Sequence, residues 1–272
     1  MLSSDRNPFK RLSALEARRA LYIDFEGEKD KPPILLGVLR RPGRGTEPNV
    51  HQDVVDRDFE LVGPNAREFR DAVEVVVVRA EHGDRRIVSW SEHDLEVVRR
   101  LRGDEPRLVA RFERRYVNAL GLARRWAKVL HPEDRPANGK LAGYLALVDY
   151  EVPPGGGPGR VGKTIRALRP TLRGGRSLTP GQQRHWDELL EHNRHDCAGM
   201  RAVCLRAARE LESAGLRLAS KPGPSSPSVW PTRRSGNHRR LTRPHPAVVS
   251  IPRGPCHRRV RQADQHRPVQ LH

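Results

Sequence analysis

The rhythm of apolar and polar positions changes along this chain, and each change predicts an element. Residues 20–27, ALYIDFEG, are apolar and aromatic with acids interleaved, and they end at Gly27, which predicts a strand. EKDKPP reads as a turn leading to a second strand, ILLGVLR. Gly- and Pro-bearing RRPGRGTEPN separates it from VHQDVVDRDFELV, a third strand with an extension. Strands joined by short turns predict an antiparallel meander. After Pro64 the pattern takes helical length in AREFRDAVEVVVVRAEHG, although its valine run also suits a strand. RIVSW (86–90) predicts a fourth strand, and SEHDLEVVRRLRG opens the next helix.

A helical stretch near 107–112 precedes a short fifth strand at 116–118, with another helix after it. Residues 141–150 are ambiguous between helix and strand. VPPGGGPGR reads as a loop, TIRALRPTL as helix, and GQQRHWDELLEHNRHDCAGMRAVCLRAARELESAGL as a long helix. In that last helix Cys197, Met200, Cys204, Ala207 and Leu211 recur every three or four residues, which makes one buried stripe. Strands first, then helices alternating with single strands, predict an α/β layer fold with a mixed sheet. The chain divides into a polar lead-in at 1–19, one domain at 20–216, and a Pro/Arg/His-rich segment at 217–272. That segment has no sustained apolar period and is expected to be disordered. A nucleic-acid-binding arm and a non-native reading frame are the alternatives for it.

Composition adds less than it first suggests. Of the net charge of +18, a large share sits at the end: from Lys221 onward eleven Lys and Arg stand against one acid, Asp264. The rest of the chain is still basic, which suits a polyanionic partner because phosphates exchange their counterions for basic side chains. Three cysteines, Cys197, Cys204 and Cys256, make no disulfide framework. No apolar run is long enough to span a membrane and no secretory signal opens the chain, so the expected compartment is the cytoplasm, with no membrane partner. No protein partner is legible.

Chemistry enters through acids. Asp24 and Glu26 lie two apart on the first strand, so both point to one face, with Cα atoms about 6.7 Å apart at standard strand rise. Carboxylates in an otherwise apolar strand are costly unless paired or bound to metal. The bland alternative is a pair of exposed charges at a strand end. In HNRHD, His192 and Asp196 lie four apart on one helix face, a spacing that also serves surface hydrogen bonds. Asp94 follows the strand RIVSW at the start of a helix, where an acid also complements the helix dipole.

Taken in order, these pieces resemble the DEDD exonucleases, ribonuclease H-like proteins with a mixed sheet flanked by helices. The resemblance spans roughly residues 21–216. Asp24 and Glu26 match the first motif, Asp94 the second and Asp196 the third. His192 stands where one version of the third motif has Tyr three positions before a final x-Asp; the other version, His with four intervening residues, would need His at Glu191. The resemblance implies two Mg2+ or Mn2+ ions, with Asp24 bridging them, Glu26 and Asp196 at one and Asp94 near the other. It also implies that His192 orients or deprotonates the attacking water. The expected function is a metal-dependent nuclease acting on DNA or RNA, trimming from a 3′ end. The alternatives are a non-catalytic nucleic-acid-binding module of the same fold and an NTPase.

The NTPase alternative rests on residues 157–164, GPGRVGKT, which match the phosphate-loop pattern in full. The slack Pro/Gly-rich connection before them favours a flexible loop, with Thr164 capping the helix that follows. His185, His192, His195 and Cys197 lack the spacing of a zinc site. Lys163, Arg166 and Arg169 share a helix face that either meets phosphate or is merely solvated. Trp90 and Trp126 are expected in the core.

Overall fold

The computed structural model describes residues 12–28, 30–40, 49–152 and 158–215. The chain divides after Lys221, and every described residue belongs to the first unit, Met1–Lys221; the segment 217–272 lies outside the described residues. Among the described residues no helix is long and apolar enough to cross a membrane.

Five strands form one sheet in the order β3-β2-β1-β4-β5. They are β1 (Leu21–Gly27), β2 (Pro33–Leu39), β3 (Val50–Val54), β4 (Ile87–Ser89) and β5 (Tyr116–Asn118). β1, β2 and β3 form the antiparallel meander, while β4 and β5 run parallel to β1, so the sheet is mixed. β1 is central and its alternation sorts the two faces. Leu21, Ile23 and Phe25 join a cluster with α2 (Phe69–His82), α3 (His93–Leu101) and α4 (Pro106–Arg115). Tyr22 joins the opposite cluster, built with α1 (Ala14–Arg19), α5 (Ala119–Leu130), α6 (Leu141–Ala146) and α8 (Pro180–Ser213). A third cluster sets Ile34, Leu35 and Val54 against α7 (Pro158–Arg173) and the first half of α8.

The structure decides the readings the sequence left open and changes others, each for a physical reason. The valine run of α2 is helical because Ala72, Val73, Val76, Val77 and Ala80 fall at three- and four-residue steps and bury one stripe. The third strand stops at Val54; its supposed extension is a 3-10 turn at Arg57–Phe59, capped by the Asp56 carboxylate accepting from the Asp58 N–H at 2.9 Å. That turn swings Phe59 inward to stack on Trp186, 5.6 Å between ring centres. Ahead of residue 20, Ser13 and Glu16 form a capping box for α1, and Leu12 and Ala17 are buried. Residues 141–146 resolve as helix, with Tyr144 and Leu145 buried beside α8.

The helix α8 positions the site. A capping box of Thr179 and Gln182 starts it, with Pro180 at its first position. Its first half anchors Trp186 and Leu189 over β2 and β3, and its second half anchors Cys197, Met200, Cys204, Ala207 and Leu211 in the other cluster. Between these anchors it turns His192, Asn193 and Asp196 toward β1.

Candidate metal centre

Asp24, Glu26, Asp94, His192 and Asp196 come from three elements, β1, α3 and α8, and meet at one place. Pairing between β1 and β4 covers only Leu21 and Tyr22, so beyond them the β4-side edge of β1 is open. Asp94, in the first turn of α3, reaches that edge, and its carboxylate accepts from the Phe25 N–H at 3.4 Å. From α8, His192 Nε2 lies 3.8 Å from Glu26 Oε1 and 3.7 Å from Asp196 Oδ2. One ligand atom from each of Glu26, His192 and Asp196 lies within 4.8 Å of the others.

The electrostatics of the cluster are those of crowded acids. Burial and the neighbouring Asp196 charge push Asp24 up to about 6, against a hydrogen bond from Glu26 and attraction to His192. Glu26 is raised well above the ordinary range by burial and then by Asp24 and Asp196. Asp94 is pushed to about 8 by burial and the Asp24 charge, against hydrogen bonds from Ser89 and the Phe25 N–H. Burial takes Asp196 to about 6. Burial also lowers His192, which leaves its ring neutral near pH 7 and its nitrogen lone pair free to bind a proton or a cation. Glu26 Oε1 is buried and among the described residues has no hydrogen-bond partner, although a carboxylate oxygen in such a place costs free energy until something positive meets it. These donors fit a divalent ion that prefers oxygen.

Three residues that hold Asp24 were not legible in the sequence. Asn193 is fully buried on α8, and its Nδ2 donates to both the main-chain oxygen of Asp24 (3.1 Å) and Oδ2 (2.9 Å). Its own Oδ1 accepts from Gln52 Nε2 at 3.0 Å, and Gln52 also donates to the Leu190 carbonyl at 2.7 Å. Gly37, paired with Asp24 across β1 and β2, makes room: a Cβ there would sit 2.2 Å from Asn193 Oδ1. The available signal was an Asn and a Gly in otherwise apolar, core-facing registers. Exposed His93, one residue before Asp94, also borders the site.

Other candidate residues lie elsewhere or act otherwise. Of residues 157–164, Gly157 lies outside the described residues, and 158–164 are helical, so Thr164 sits inside α7 instead of capping it. The amides after the first turn of such a helix are committed to its own carbonyls and cannot wrap a phosphate. The face carrying Lys163, Arg166 and Arg169 is not uniformly free: Arg166 pairs with Glu28 at 3.3 Å, and Arg169 pairs with Asp56 (2.8 Å) and Asp58 while lying over the Phe59 ring. His195 takes no part in a zinc cluster; it hydrogen-bonds Tyr150 (2.8 Å) and Glu191 (2.7 Å), and Cys197 is buried in the core. Trp126 is fully buried as expected, whereas Trp90 is half-buried, donates to the Gly139 carbonyl at 2.7 Å and borders the site.

Two hollows meet at the acids. One, of about 240 Å³, runs past Glu26, Glu28 and Lys31. The other, of about 340 Å³, runs past Trp90, Asp94, Lys140 and Met200. Asp24, Phe25, His93, His192 and Asp196 line both, so the carboxylates sit where the hollows join. Compared with protein-family models, with curated proteins and with solved structures, the chain finds no match in any of the three.

Proposed function

We propose that this chain is a metal-dependent nuclease that hydrolyses phosphodiester bonds of DNA or RNA, on a ribonuclease H-like domain of the DEDD exonuclease type. The observation that carries the reading is the convergence of Asp24, Glu26, Asp94 and Asp196 from β1, α3 and α8, with Glu26 Oε1 buried and unpartnered among them. A protein of net charge +18 has ample cations with which to neutralise such a cluster, yet burial, mutual repulsion and hydrogen bonds set these groups. The mixed sheet flanked by helices is the architecture the resemblance implies.

Divalent ions bound there would supply an activated water and a stabilised leaving oxygen. Glu26 and Asp196 would hold one, Asp94 the second, and Asp24 would serve both. Asn193 keeps the Asp24 carboxylate turned toward that position. The two hollows flank the acids, where a nucleic-acid strand would lie; Lys140 borders one of them, while Lys31, at the other, is paired with Glu28 at 2.8 Å.

The test is cleavage of single-stranded DNA and RNA, each with Mg2+ or Mn2+. Wild-type protein should cleave, Asp24→Asn should lose cleavage while staying folded, and Glu68→Gln, a change at an exposed carboxylate, should behave as wild type. Cleavage undiminished in Asp24→Asn contradicts the reading.

A further inference from the structure

His192 occupies an unusual place for a residue that only orients water. Its side chain is 13% exposed, and its Nε2 lies between two carboxylate oxygens, Glu26 Oε1 at 3.8 Å and Asp196 Oδ2 at 3.7 Å. Both separations exceed hydrogen-bond length. Two atoms bound to one ion at about 2.1–2.2 Å stand roughly 3.0–3.8 Å apart for angles of 90–120°. The nearer Glu26 oxygen is also a buried atom with no hydrogen-bond partner among the described residues. An imidazole nitrogen, a buried carboxylate oxygen and a second carboxylate, from the two elements β1 and α8, thus lie within 4.8 Å of one another, near enough to close on one ion by a small side-chain movement.

We propose that His192 is itself a metal ligand, with Glu26 and Asp196, and that its imidazole makes this position prefer a first-row transition ion over magnesium. The inference rests on the metal-nuclease reading and deepens it. Magnesium is a hard cation that takes oxygen ligands and gives up water reluctantly. Imidazole nitrogen suits the softer transition ions, whose affinities for mixed N/O sites follow ligand type and geometry. Replacing one oxygen ligand by nitrogen therefore favours Mn2+ or Co2+ at this position and leaves the all-carboxylate position beside Asp94 open to Mg2+.

The experiment titrates Mg2+, Mn2+ and Co2+ into the full chain by calorimetry and follows the visible absorption of bound Co2+. Wild type should bind Mn2+ more tightly than Mg2+. His192→Gln should lose about 10- to 100-fold in Mn2+ affinity, the range already typical when only an outer partner of a metal ligand is removed. It should keep its Mg2+ affinity, and its Co2+ bands should move as a nitrogen ligand is lost. His192→Tyr keeps an aromatic ring in the same pocket and should lose the Mn2+ preference likewise; it serves if the glutamine variant fails to fold. A Mn2+ to Mg2+ affinity ratio that is equal in wild type and a folded variant overturns the inference, as does an unchanged Co2+ spectrum. A wild-type protein that cleaves through Asp24 while binding both ions alike overturns this inference alone. One that binds no divalent ion overturns it together with the metal reading.

Discussion

Among the described residues, two clusters of partly or fully buried acids are treated in opposite ways. At the 3-10 turn, Asp56 and Asp58 face Arg169, and Arg173 joins Asp58 at 2.8 Å. Burial there pushes Asp58 up, but the hydrogen bonds from Arg173 and Arg169 outweigh it and hold the carboxyl below its ordinary range. At β1, burial acts the same way on Asp24, Glu26, Asp94 and Asp196, and among the described residues no arginine or lysine figures among the causes that set them. The first cluster is finished by the chain's own cations and ties α7 to the turn. The second is left unfinished, and carboxylates in that condition hold protons until a cation replaces them.

This difference predicts opposite signs for one kind of substitution. Without added metal at pH 8, Asp94→Asn should stabilise the protein on the order of a few kcal/mol, because it removes a charge that the fold disfavours. Saturating Mn2+ should erase that advantage. Asp58→Asn should instead destabilise by about 1 kcal/mol or less, since it unpairs arginines that stay partly solvated. Denaturant melts of both variants, with and without metal, check the pair.

The same contrast sets the pH dependence. Asp24, Asp196 and Asp94 have folded values near 6, 6 and 8, all above the ordinary value of 3.8. A raised acid contributes stability that is complete below its unfolded value and is lost as pH rises through its folded value. Metal-free protein should therefore lose stability between about pH 4 and pH 8, and a divalent ion should flatten that decline. A melting series across this window with chelator and with Mn2+ reads the effect.

Gly37→Ala should sharpen the geometry. The new methyl must displace Asn193, and such overpacking costs typically about 1–3 kcal/mol. The variant should also bind metal more weakly, because Asn193 orients Asp24. Restored metal affinity in a Gly37→Ala protein that is as stable as wild type would remove Asn193 from the account. The smallest effect is expected at Lys163→Ala, which should leave ATP and GTP turnover at background, as in wild type, because 158–164 are helical.

Much of the frame was legible because local periodicity carried it. The alternation of Leu21, Ile23 and Phe25 with Tyr22, Asp24 and Glu26 sorts the two faces of β1, and the Cys197-to-Leu211 stripe buries as its spacing demands. The start of α7 was not legible. Gly159 and Gly162 disfavour helix locally, but Val161, Ile165, Leu168 and Leu172 bury one face against the third cluster and override that preference. The support beneath Asp24 was hidden for a different reason. Gln52 and Asn193 are 141 residues apart, and no local pattern links a polar side chain to a partner so distant in the chain. The acids stood out in the sequence by their spacing; the glycine and two amides that hold Asp24 became visible only when β1, β2, β3 and α8 were brought together.

A cation site at the β1 cluster requires divalent ions to stabilise the folded chain, and metal-linked stability tests this most directly. The melting midpoint of the full chain at pH 7.5, above the values of Asp24 and Asp196 near 6 and just below that of Asp94 near 8, should be measured with chelator and then with rising Mg2+ or Mn2+. A ligand that binds only the folded state adds about 2.7 kcal/mol at a hundred times its dissociation constant, so the midpoint should climb by several degrees. Asp24→Asn should lose most of that climb, whereas Asp58→Asn should keep it. A midpoint indifferent to both ions in wild type, or a full climb in Asp24→Asn, would contradict the account.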